Sequence, residues 1–368
     1  MSVGPTPLDI FRAKGVPHRR MEDWKYTDLR GALAADALET SQDLAVRVKT
    51  GDAVEYAVSK ATDVPELFSR HIGRFDYSIS STMDAGARAF ASTLHTVRVP
   101  AGVTGQTLEI EYAGEGQGHI VLLLEADSEL TFVETHHSGA TGLRNVSLSI
   151  VLLTNARLNH FREAHFAPDL VSVETASLIQ EDNTLYQVRV LSGGARLSRA
   201  EFNVYLNAGA EADLSGISVL SDGAHADITT RIHHAEPNTV SRQLFKIVAG
   251  GKSRAVYQGK IIATEDGTDS RQTAKALLLS DRAEADLKPE LEILADDVKC
   301  AHGAAVGDLD ADSLFYLRAR GIPEAEARGL LIHAFLQEVV DGIEDEGLRG
   351  AAVEFIDSGL AWAMESAS

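Results

Sequence analysis

Short apolar or alternating runs occupy the middle of the chain, from about residue 94 to about residue 300, with no convincing long helix between them. Successive side chains of a strand point to opposite faces, so runs of this kind, bounded by turn residues, predict roughly a dozen consecutive strands. The runs lie at residues 108–112, 120–124, 130–133, 146–153, 185–191, 195–206, 243–248 and 255–262.

Glycine-containing separators stand between these runs, at residues 114–116, 192–194, 207–209 and 249–251. Their composition is typical of turns, but their spacing is irregular and shows no strict repeat. Two architectures fit this pattern, a large β-sandwich or an irregular β-solenoid. We favour the solenoid, because such a long stretch without helices stacks easily coil on coil and fits a compact sandwich poorly.

Helical patterns mark both ends of the chain. Apolar residues recur at spacings of three and four within residues 1 to about 40, whereas residues 41 to about 90 show weaker periodicity. The mixed-charge segment 19–26 fits an amphipathic helix with a solvated face. After Gly307, residues 310–320 predict a helix, and Gly321 and Pro323 mark its end and the start of the next. We therefore expect an N-terminal helical domain (1–93), a β core (94–306) and a C-terminal helical domain (307–368).

The second C-terminal helix carries two adjacent apolar rows. One row contains Leu331, Phe335, Val339 and Ile343, and together the rows cover more of the helix than one packing contact needs. From residue 308 to 368 there are thirteen acidic residues and four arginines, a net charge of -9. A broad apolar stripe on an acidic helical end indicates a docking surface for a partner with a basic rim. The alternative is that both rows pack inside the chain.

The composition narrows the function classes. The 368 residues include 34 Lys+Arg and 54 Asp+Glu, a net charge of -20, which disfavours nucleic acid and anionic membranes as partners. No segment approaches the ~18 consecutive apolar residues of a membrane span, and the first seven residues lack the features of a secretory signal. A single free cysteine suits a reducing compartment, so we expect a cytoplasmic protein.

The only cysteine, Cys300, stands two positions before His302. In a strand these two side chains point to the same face, so a thiolate and an imidazole converge. The pair suits a soft metal or an iron-sulfur centre, but it is two ligands short of the roughly four that such sites use. A metal site here would need ligands from another chain. The alternative is a buried structural cysteine beside a hydrogen-bonded histidine.

Other candidate motifs are weaker. The sequence Gly251-Lys252-Ser253 resembles the end of a phosphate-binding loop, but it lacks the earlier glycine and precedes a strand pattern instead of a helix. The adjacent histidine pairs at 136–137 and 233–234 point to opposite faces, as do His160 and His165, so we expect surface or core roles for them. The acidic pair at 296–297 fits a turn.

Several segments together resemble the SufB/SufD family of iron-sulfur cluster assembly proteins. They are the segments at residues 257–261, 272–273, 277–281, 289–293, 296–304 and 314–321, and Arg20, Glu22 and the Trp-Lys-Tyr-Thr sequence at 24–27 resemble an amino-terminal signature of the SufD branch. The chain length, the single cysteine and Gly303, where SufB carries a glutamate, favour that branch over SufB.

The resemblance implies a right-handed parallel β-helix core flanked by helical domains, and a non-catalytic scaffold subunit. It implies a heterodimer with SufB and docking of the ATPase SufC through the C-terminal helices, where Leu331, Phe335, Val339 and Ile343 would contact it. It also implies a transient iron-sulfur cluster shared with SufB, with His302 as a ligand and Cys300 as the accompanying core cysteine. No cluster would be bound stably by this chain alone.

Two other functions remain open at this stage. A homo-oligomeric β-helical structural protein is possible because related β-helices could pair with themselves, which also allows a homodimer in isolation. A β-helical carbohydrate lyase or hydrolase would need converging carboxylates on successive coils and usually a secretion signal, and neither is visible.

Overall fold

The computed structural model describes residues 6–34, 37–39, 42–72, 81–137, 141–221 and 223–365. Residues 1–5, part of the segment considered for a secretory signal, lie outside the described residues. The helices are α1 (Pro7–Lys14), α2 (Leu29–Ala32), α3 (Glu66–Ile72), α4 (Thr82–Phe90), α5 (Ala311–Ala319), α6 (Glu324–Asp341) and α7 (Glu346–Glu365), with one 3₁₀ turn at Glu22–Trp24.

Eighteen strands form the middle of the described chain. They are β1 (Ala45–Thr50), β2 (Glu55–Lys60), β3 (Thr93–Val99), β4 (Gln106–Ala113), β5 (Gly116–Leu124), β6 (Glu129–His136), β7 (Leu143–Leu152), β8 (Arg157–Ala164), β9 (Val171–Gln180), β10 (Leu185–Ser192), β11 (Leu197–Leu206), β12 (Glu211–Leu220), β13 (His225–His234), β14 (Val240–Ala249), β15 (Arg254–Ala263), β16 (Thr268–Leu278), β17 (Glu284–Ile293) and β18 (Val298–Gly307).

Consecutive strands of the core alternate between two nine-stranded sheets. The even sheet has the order β1-β4-β6-β8-β10-β12-β14-β16-β18, and the odd sheet has the order β2-β3-β5-β7-β9-β11-β13-β15-β17. From β3 and β4 onward all neighbours are parallel, whereas β1 and β2 join antiparallel at the start of the stack. The chain therefore winds as a β-solenoid, which confirms the mainly β fold with helical ends and decides against the sandwich.

In six successive coils, from β5–β6 to β15–β16, one turn contains a residue in the left-handed conformation. These residues stand at 127, 155, 183, 209, 238 and 267, and each is Asp, Asn or Gly, which tolerate positive φ. The backbone N–H of each bonds a carbonyl in the turn of the next coil, as from Asn183 to Ala208 at 3.0 Å. Because the coils differ in length by a few residues, this repeat was not visible as a strict period in the sequence.

The space between the two sheets is the main core. Alternate side chains of every strand point into it and stack in columns, one coil above the next, including Leu122, Ile150, Phe202, Phe245 and Tyr257. Many strands are long apolar runs without a solvent-facing side. The reason is that one face is covered by the opposite sheet and the other by helices or loops.

The N-terminal residues cover the outer face of the odd sheet. Helices α1 and α4 pack together, and their cluster includes Phe11, Trp24, Met83 and Val173 of strand β9. Residues 45–60 form strands β1 and β2, so the range 1–93 holds strands as well as helices. The core begins at β3 and ends at β18, close to the expected limits of 94 and 306. The division into three domains stays a prediction.

Helices α6 and α7 pack on the outer face of the even sheet. Ile217 and Val248 of the sheet lie in one buried cluster with Leu336 of α6 and Phe355 of α7. Lys246 of β14 reinforces this contact, because its Nζ donates to the carbonyl of residue 335 at 2.6 Å and pairs with Glu338 at 2.7 Å. The C-terminal helices are therefore attached to the solenoid by both apolar and polar contacts.

Candidate functional site

The last coil leaves one end of the solenoid open. Within the described residues β17 pairs only with β15, and β18 pairs only with β16. Each outer edge therefore offers a row of backbone N–H and C=O groups for pairing. Ile293, Leu294 and Val306 are 46%, 67% and 48% exposed at this end. An open, partly apolar end is a surface suited to another protein.

Cys300 and His302 lie side by side on β18, as the strand pattern predicted, and the register shows where they point. Cys300 pairs with Ser270, and His302 pairs with Gln272, both on β16. Ser270 and Gln272 are buried in the interior. Because side chains in register on parallel strands share a face, Cys300 and His302 continue two interior columns at the open mouth. Cys300 is half-buried and His302 is exposed.

The interior directly beneath His302 is polar. Gln243 lies one coil deeper than Gln272 in the same column. Its Oε1 accepts hydrogen bonds from Thr230 Oγ1 at 2.6 Å and from the hydroxyl of Tyr257 at 3.1 Å. Burial raises the pKa of Tyr257. The histidine therefore stands above a small amide and hydroxyl cluster, which sequence reasoning missed because the coil register is needed to see it.

A second polar column lies beneath Cys300. The hydroxyls of Ser270 and Ser241 are 2.6 Å apart, and Ser241 contacts His234 Nε2 at 3.0 Å. The other ring nitrogen of His234 lies 2.8 Å from Thr239 Oγ1. Burial lowers the pKa of His234 to about 4, so this histidine is neutral at pH 7. It is a satisfied core residue, as expected for the pair at 233–234.

At the open end of the solenoid, Cys300 and His302 provide at most two of the roughly four side chains that a metal site needs. Burial raises the pKa of the Cys300 thiol, which disfavours the thiolate that binds metals. In the described part of the chain no group of three or more His, Cys, Asp or Glu side chains could hold a metal ion. His302 can offer an exposed imidazole, with Cys300 beside it, toward a site completed by other ligands.

Known proteins are similar to this chain in sequence. Residues 109–335 match the family model described as the SUF system FeS cluster assembly, SufBD core domain. The chain is also 30% identical to the iron-sulfur cluster assembly protein SufD of Escherichia coli, over 91% of this chain and 87% of that protein. The chain belongs to the SufBD family of the SUF system. The prediction made from the motif segments is thereby confirmed.

Other members of the SufBD family are similar over comparable lengths. A SufBD family protein of Mycobacterium tuberculosis is 31% identical over 90% of this chain and 86% of its own length. A SufBD family protein of Synechocystis is 26% identical over 93% of this chain and 87% of its own length. The family assignment gives no support to the carbohydrate-active alternative.

The apolar row expected to bind SufC is partly internal in this family member. Val339 and Ile343 are buried in the cluster between α6 and the even sheet. Leu331 and Phe335 are half-buried, and the ring of Phe335 lies 4.9 Å from Lys246 Nζ. Internal packing, the alternative left open, therefore accounts for at least half of the row. A role of the row in binding SufC stays a prediction.

A different apolar surface of the C-terminal helices is exposed. Phe315 and Tyr316 of α5 are 75% and 56% exposed, and Leu330 of α6 is 47% exposed. Helix α5 has no buried residue and packs beside α6. We call these three residues the α5–α6 patch. The helix predicted at residues 310–320 contains Phe315, but its exposure was not predicted, because it depends on where α5 packs.

The amino-terminal signature is structural. Trp24 is buried at the end of the 3₁₀ turn, and Thr27 Oγ1 donates to Asp227 Oδ2 on β13 at 2.5 Å. The same oxygen accepts a bond from Arg199 at 2.6 Å. Residues 22–27 thus dock on the odd sheet. The interpretation of segment 19–26 as an amphipathic helix is wrong, because the segment consists of turns and one short 3₁₀ turn. Its charged side chains are exposed, as predicted, while Trp24 is buried.

Two other histidines lie in a charged interior cluster near the first coils. His136 and His160 are both fully buried and lie within 3.4 Å and 2.9 Å of Glu134. Burial alone would raise the pKa of Glu134, but these two imidazoles hold it well below its usual range. Glu174 pairs with Arg162 and lies 3.3 Å from His136. Both histidines are buried core residues beside this charged cluster, in line with the core role expected from sequence.

The remaining sequence candidates have plain structural roles. The segment 251–253 is a turn that leads into β15 rather than into a helix, which agrees with the rejection of a phosphate loop. The backbone N–H groups of Asp296 and Asp297 both donate to Asp266 Oδ1 in a turn, as predicted. None of the helices in the described ranges is long and apolar enough to cross a membrane.

A cavity of about 610 Å³ lies between the turns of the middle coils and helix α7. His165, Phe166, Arg196 and Phe355 contribute to its wall, whereas Cys300 and His302 do not. It is therefore separate from the open mouth of the solenoid.

Proposed function

We propose that this chain is a non-catalytic scaffold subunit of a SufB–SufC–SufD complex, in which it occupies the SufD position. Its task is to complete a nascent-cluster site at the interface with SufB and to dock SufC. The observation that carries the proposal is His302, an exposed imidazole on an interior column at the unpaired end of a SufBD-family solenoid.

The open end supports the proposed interface with SufB. A partner with the same two-sheet architecture can pair with the edges of β17 and β18 and so continue both sheets. Ile293, Leu294 and Val306 would lose exposed apolar surface in that contact, which favours association by roughly 25 cal/mol per Å² buried. His302 would then lie where the two interiors meet.

The incomplete ligand set supports a shared and transient cluster. An iron-sulfur cluster needs about four ligands, most often thiolates. This chain supplies His302 and, beside it, a thiol whose pKa is raised by burial. We assign His302 the role of ligand and Cys300 an accompanying, mainly structural role. SufB supplies the thiolates, and the cluster is cargo that leaves after assembly.

The α5–α6 patch supports docking of SufC at the C-terminal helices. Its aromatic residues are exposed on helices that otherwise carry a net negative charge. Aromatic side chains are enriched in the centres of protein interfaces. Within the originally predicted row, Val339 and Ile343 are buried against the solenoid. The half-buried Leu331 and Phe335 are the members of the row with surface left for SufC. ATP hydrolysis belongs to SufC, and the complex works in the cytoplasm, where the single thiol stays reduced.

Replacement of His302 tests the proposal. We expect His302→Ala, in a complex reconstituted with SufB and SufC, to lose most cluster formation while the three subunits still co-elute, because a ligand is removed from an exposed position. Cys300→Ala is the matched change on the same face and should retain most of the activity. Cluster formation is followed by absorption and by iron and sulfide content. Normal cluster formation in an intact complex with His302→Ala would refute the role of His302 as a cluster ligand.

A homodimer is the second candidate, since the same two edges could pair with a second copy of this chain. Light scattering with size exclusion, first on the chain alone and then with SufB, distinguishes the two. Heterodimer formation at the expense of a homodimer is the expected result. A homodimer that persists with SufB in excess would favour the structural role.

A further inference from the structure

Gln272 is the residue directly beneath His302 in the interior column. The two are register partners on β16 and β18, adjacent strands about 4.8 Å apart. Gln272 is 1% exposed, whereas His302 is exposed at the mouth. A buried amide and an imidazole therefore face the same way on neighbouring strands, with no other residue between them in the column.

The amide of Gln272 has unused hydrogen-bonding capacity. Within the described part of the chain its Oε1 makes no hydrogen bond, and its Nε2 makes none of normal geometry, although it interacts with the Tyr257 hydroxyl. The deeper Gln243 differs, because its Oε1 already accepts bonds from Thr230 and Tyr257. A buried amide oxygen without a hydrogen-bond partner has lost its hydration without compensation, so a nearby donor is favoured.

Gly259 leaves room for the nitrogen end of this amide. A Cβ at Gly259 would lie 1.9 Å from Gln272 Nε2 and 2.5 Å from the hydroxyl oxygen of Tyr257. The amide nitrogen therefore occupies the space that a side chain at position 259 of β15 would fill. It lies beside the Tyr257 hydroxyl. With the nitrogen placed there, the amide oxygen is the group left to meet a donor from the next coil.

We propose that Gln272 is a positioning residue for His302, whose ring N–H donates to Gln272 Oε1 so that the other ring nitrogen presents its lone pair at the mouth. A neutral imidazole has one N–H and one lone pair, and the bond made by one nitrogen selects the tautomer. Histidine ligands of metals commonly donate their second N–H to such an acceptor. The inference rests on the proposed function of His302 as a ligand.

The tautomer can be measured in the free protein, before any cluster is present. In the full chain labelled with ¹⁵N-histidine, we expect His302 to populate one tautomer with a slowly exchanging ring N–H. Gln272→Met keeps the length and flexibility of the side chain but removes the acceptor, so both tautomers and fast exchange are expected. Gln243→Met, one coil deeper in the same column, is the matched control and should leave His302 unchanged.

Two results would overturn the proposal. One is a mixture of tautomers at His302 in the wild-type chain. This measurement does not depend on whether a variant folds. The other is an unchanged single tautomer in a folded Gln272→Met chain. Gln272→Glu should retain the single tautomer, because its carboxylate accepts the same N–H, and a loss of the tautomer there would also contradict the proposal.

The consequence for assembly separates this inference from the proposed function. With ferrous iron and sulfide as the probe, Gln272→Met should lower cluster formation in the reconstituted complex by roughly 10-fold, and Gln272→Glu should restore it. If His302→Ala leaves assembly intact while the tautomer still depends on Gln272, the ligand role fails and the positioning contact stands. If His302→Ala abolishes assembly but Gln272→Met changes neither property, the positioning role fails alone.

Discussion

The guanidinium carbon of Arg199 lies 4.2 Å from the ring centroid of Trp24. Arg199 is completely buried on β11 and pairs with Asp227 and Glu201. The indole of Trp24 therefore packs against a buried charged cluster. The contact joins the N-terminal segment to strand β11 in the middle of the solenoid, across 175 positions of sequence. It explains why an aromatic residue follows a run of charges near the start of the chain.

Loss of Arg199 should destabilise the fold strongly. Arg199→Met leaves Asp227 and Glu201 buried without their cation, and removal of one partner from a buried ion cluster costs about 3–5 kcal/mol. Denaturant unfolding measures this change. Arg47→Met is the control. The Arg47 side chain is highly exposed, and its ion pair with Glu111 is long, at 3.8 Å. Its loss should therefore cost less than about 1 kcal/mol of unfolding free energy. Equal effects of the two variants would contradict the buried role of the cluster.

A charge on the α5–α6 patch should prevent binding of SufC. Phe315→Asp places a carboxylate on a side chain that is 75% exposed, so we expect an unchanged melting temperature and loss of SufC capture in a pull-down. Val353→Asp on α7, at a position 40% exposed, is the control and should still bind. If Phe315→Asp retains SufC at wild-type affinity, the docking surface lies elsewhere.

The open end should be required for association with SufB, whereas the opposite end should not. Val306 on β18 and Val58 on β2 are 48% and 52% exposed valines on edge strands at opposite ends of the solenoid. Val306→Asp is expected to weaken the complex with SufB at least 10-fold, since it puts a charge into an apolar contact. Val58→Asp should bind normally. Calorimetric titration with SufB measures the two dissociation constants. If Val58→Asp weakens binding more than Val306→Asp, the proposed interface is excluded.

Stability should fall as the pH drops from about 6.5 to about 4, in part through His234. Its pKa is lowered to about 4 by burial, so the unfolded chain binds more protons than the folded chain in this range. The unfolding free energy therefore rises with pH there. His234→Gln should reduce that slope by up to about 1.4 kcal/mol per pH unit.

The control for this pH dependence is Thr239→Val, which removes a hydrogen-bond partner of His234 and leaves the imidazole in place. This variant should be less stable at every pH and keep most of the slope. Urea unfolding at several pH values provides both numbers. An unchanged slope in His234→Gln would show that other groups dominate the acid response.

Much of the fold was predictable because strand and helix periodicities are local. The runs between residues 94 and 300, the stop at Gly321 and Pro323, and the common face of Cys300 and His302 all follow from spacings of two or of three and four residues. The two strands within residues 45–60 were missed. β1 alternates between exposed and half-buried positions over only six residues, and β2 is largely exposed without a clear alternation. Both are held as strands by antiparallel pairing with the first coil.

By itself the sequence determined the solenoid with helical ends, the family and the residue pair that marks the site, because these depend on local patterns and on motif residues. The tertiary structure decided which surfaces are available. It buried Val339 and Ile343, exposed Phe315, and set Gln272 beneath His302 some thirty positions away. The reason is that exposure and cross-coil register depend on how each coil stacks on the last, and coils of unequal length hide that register from any fixed spacing along the chain.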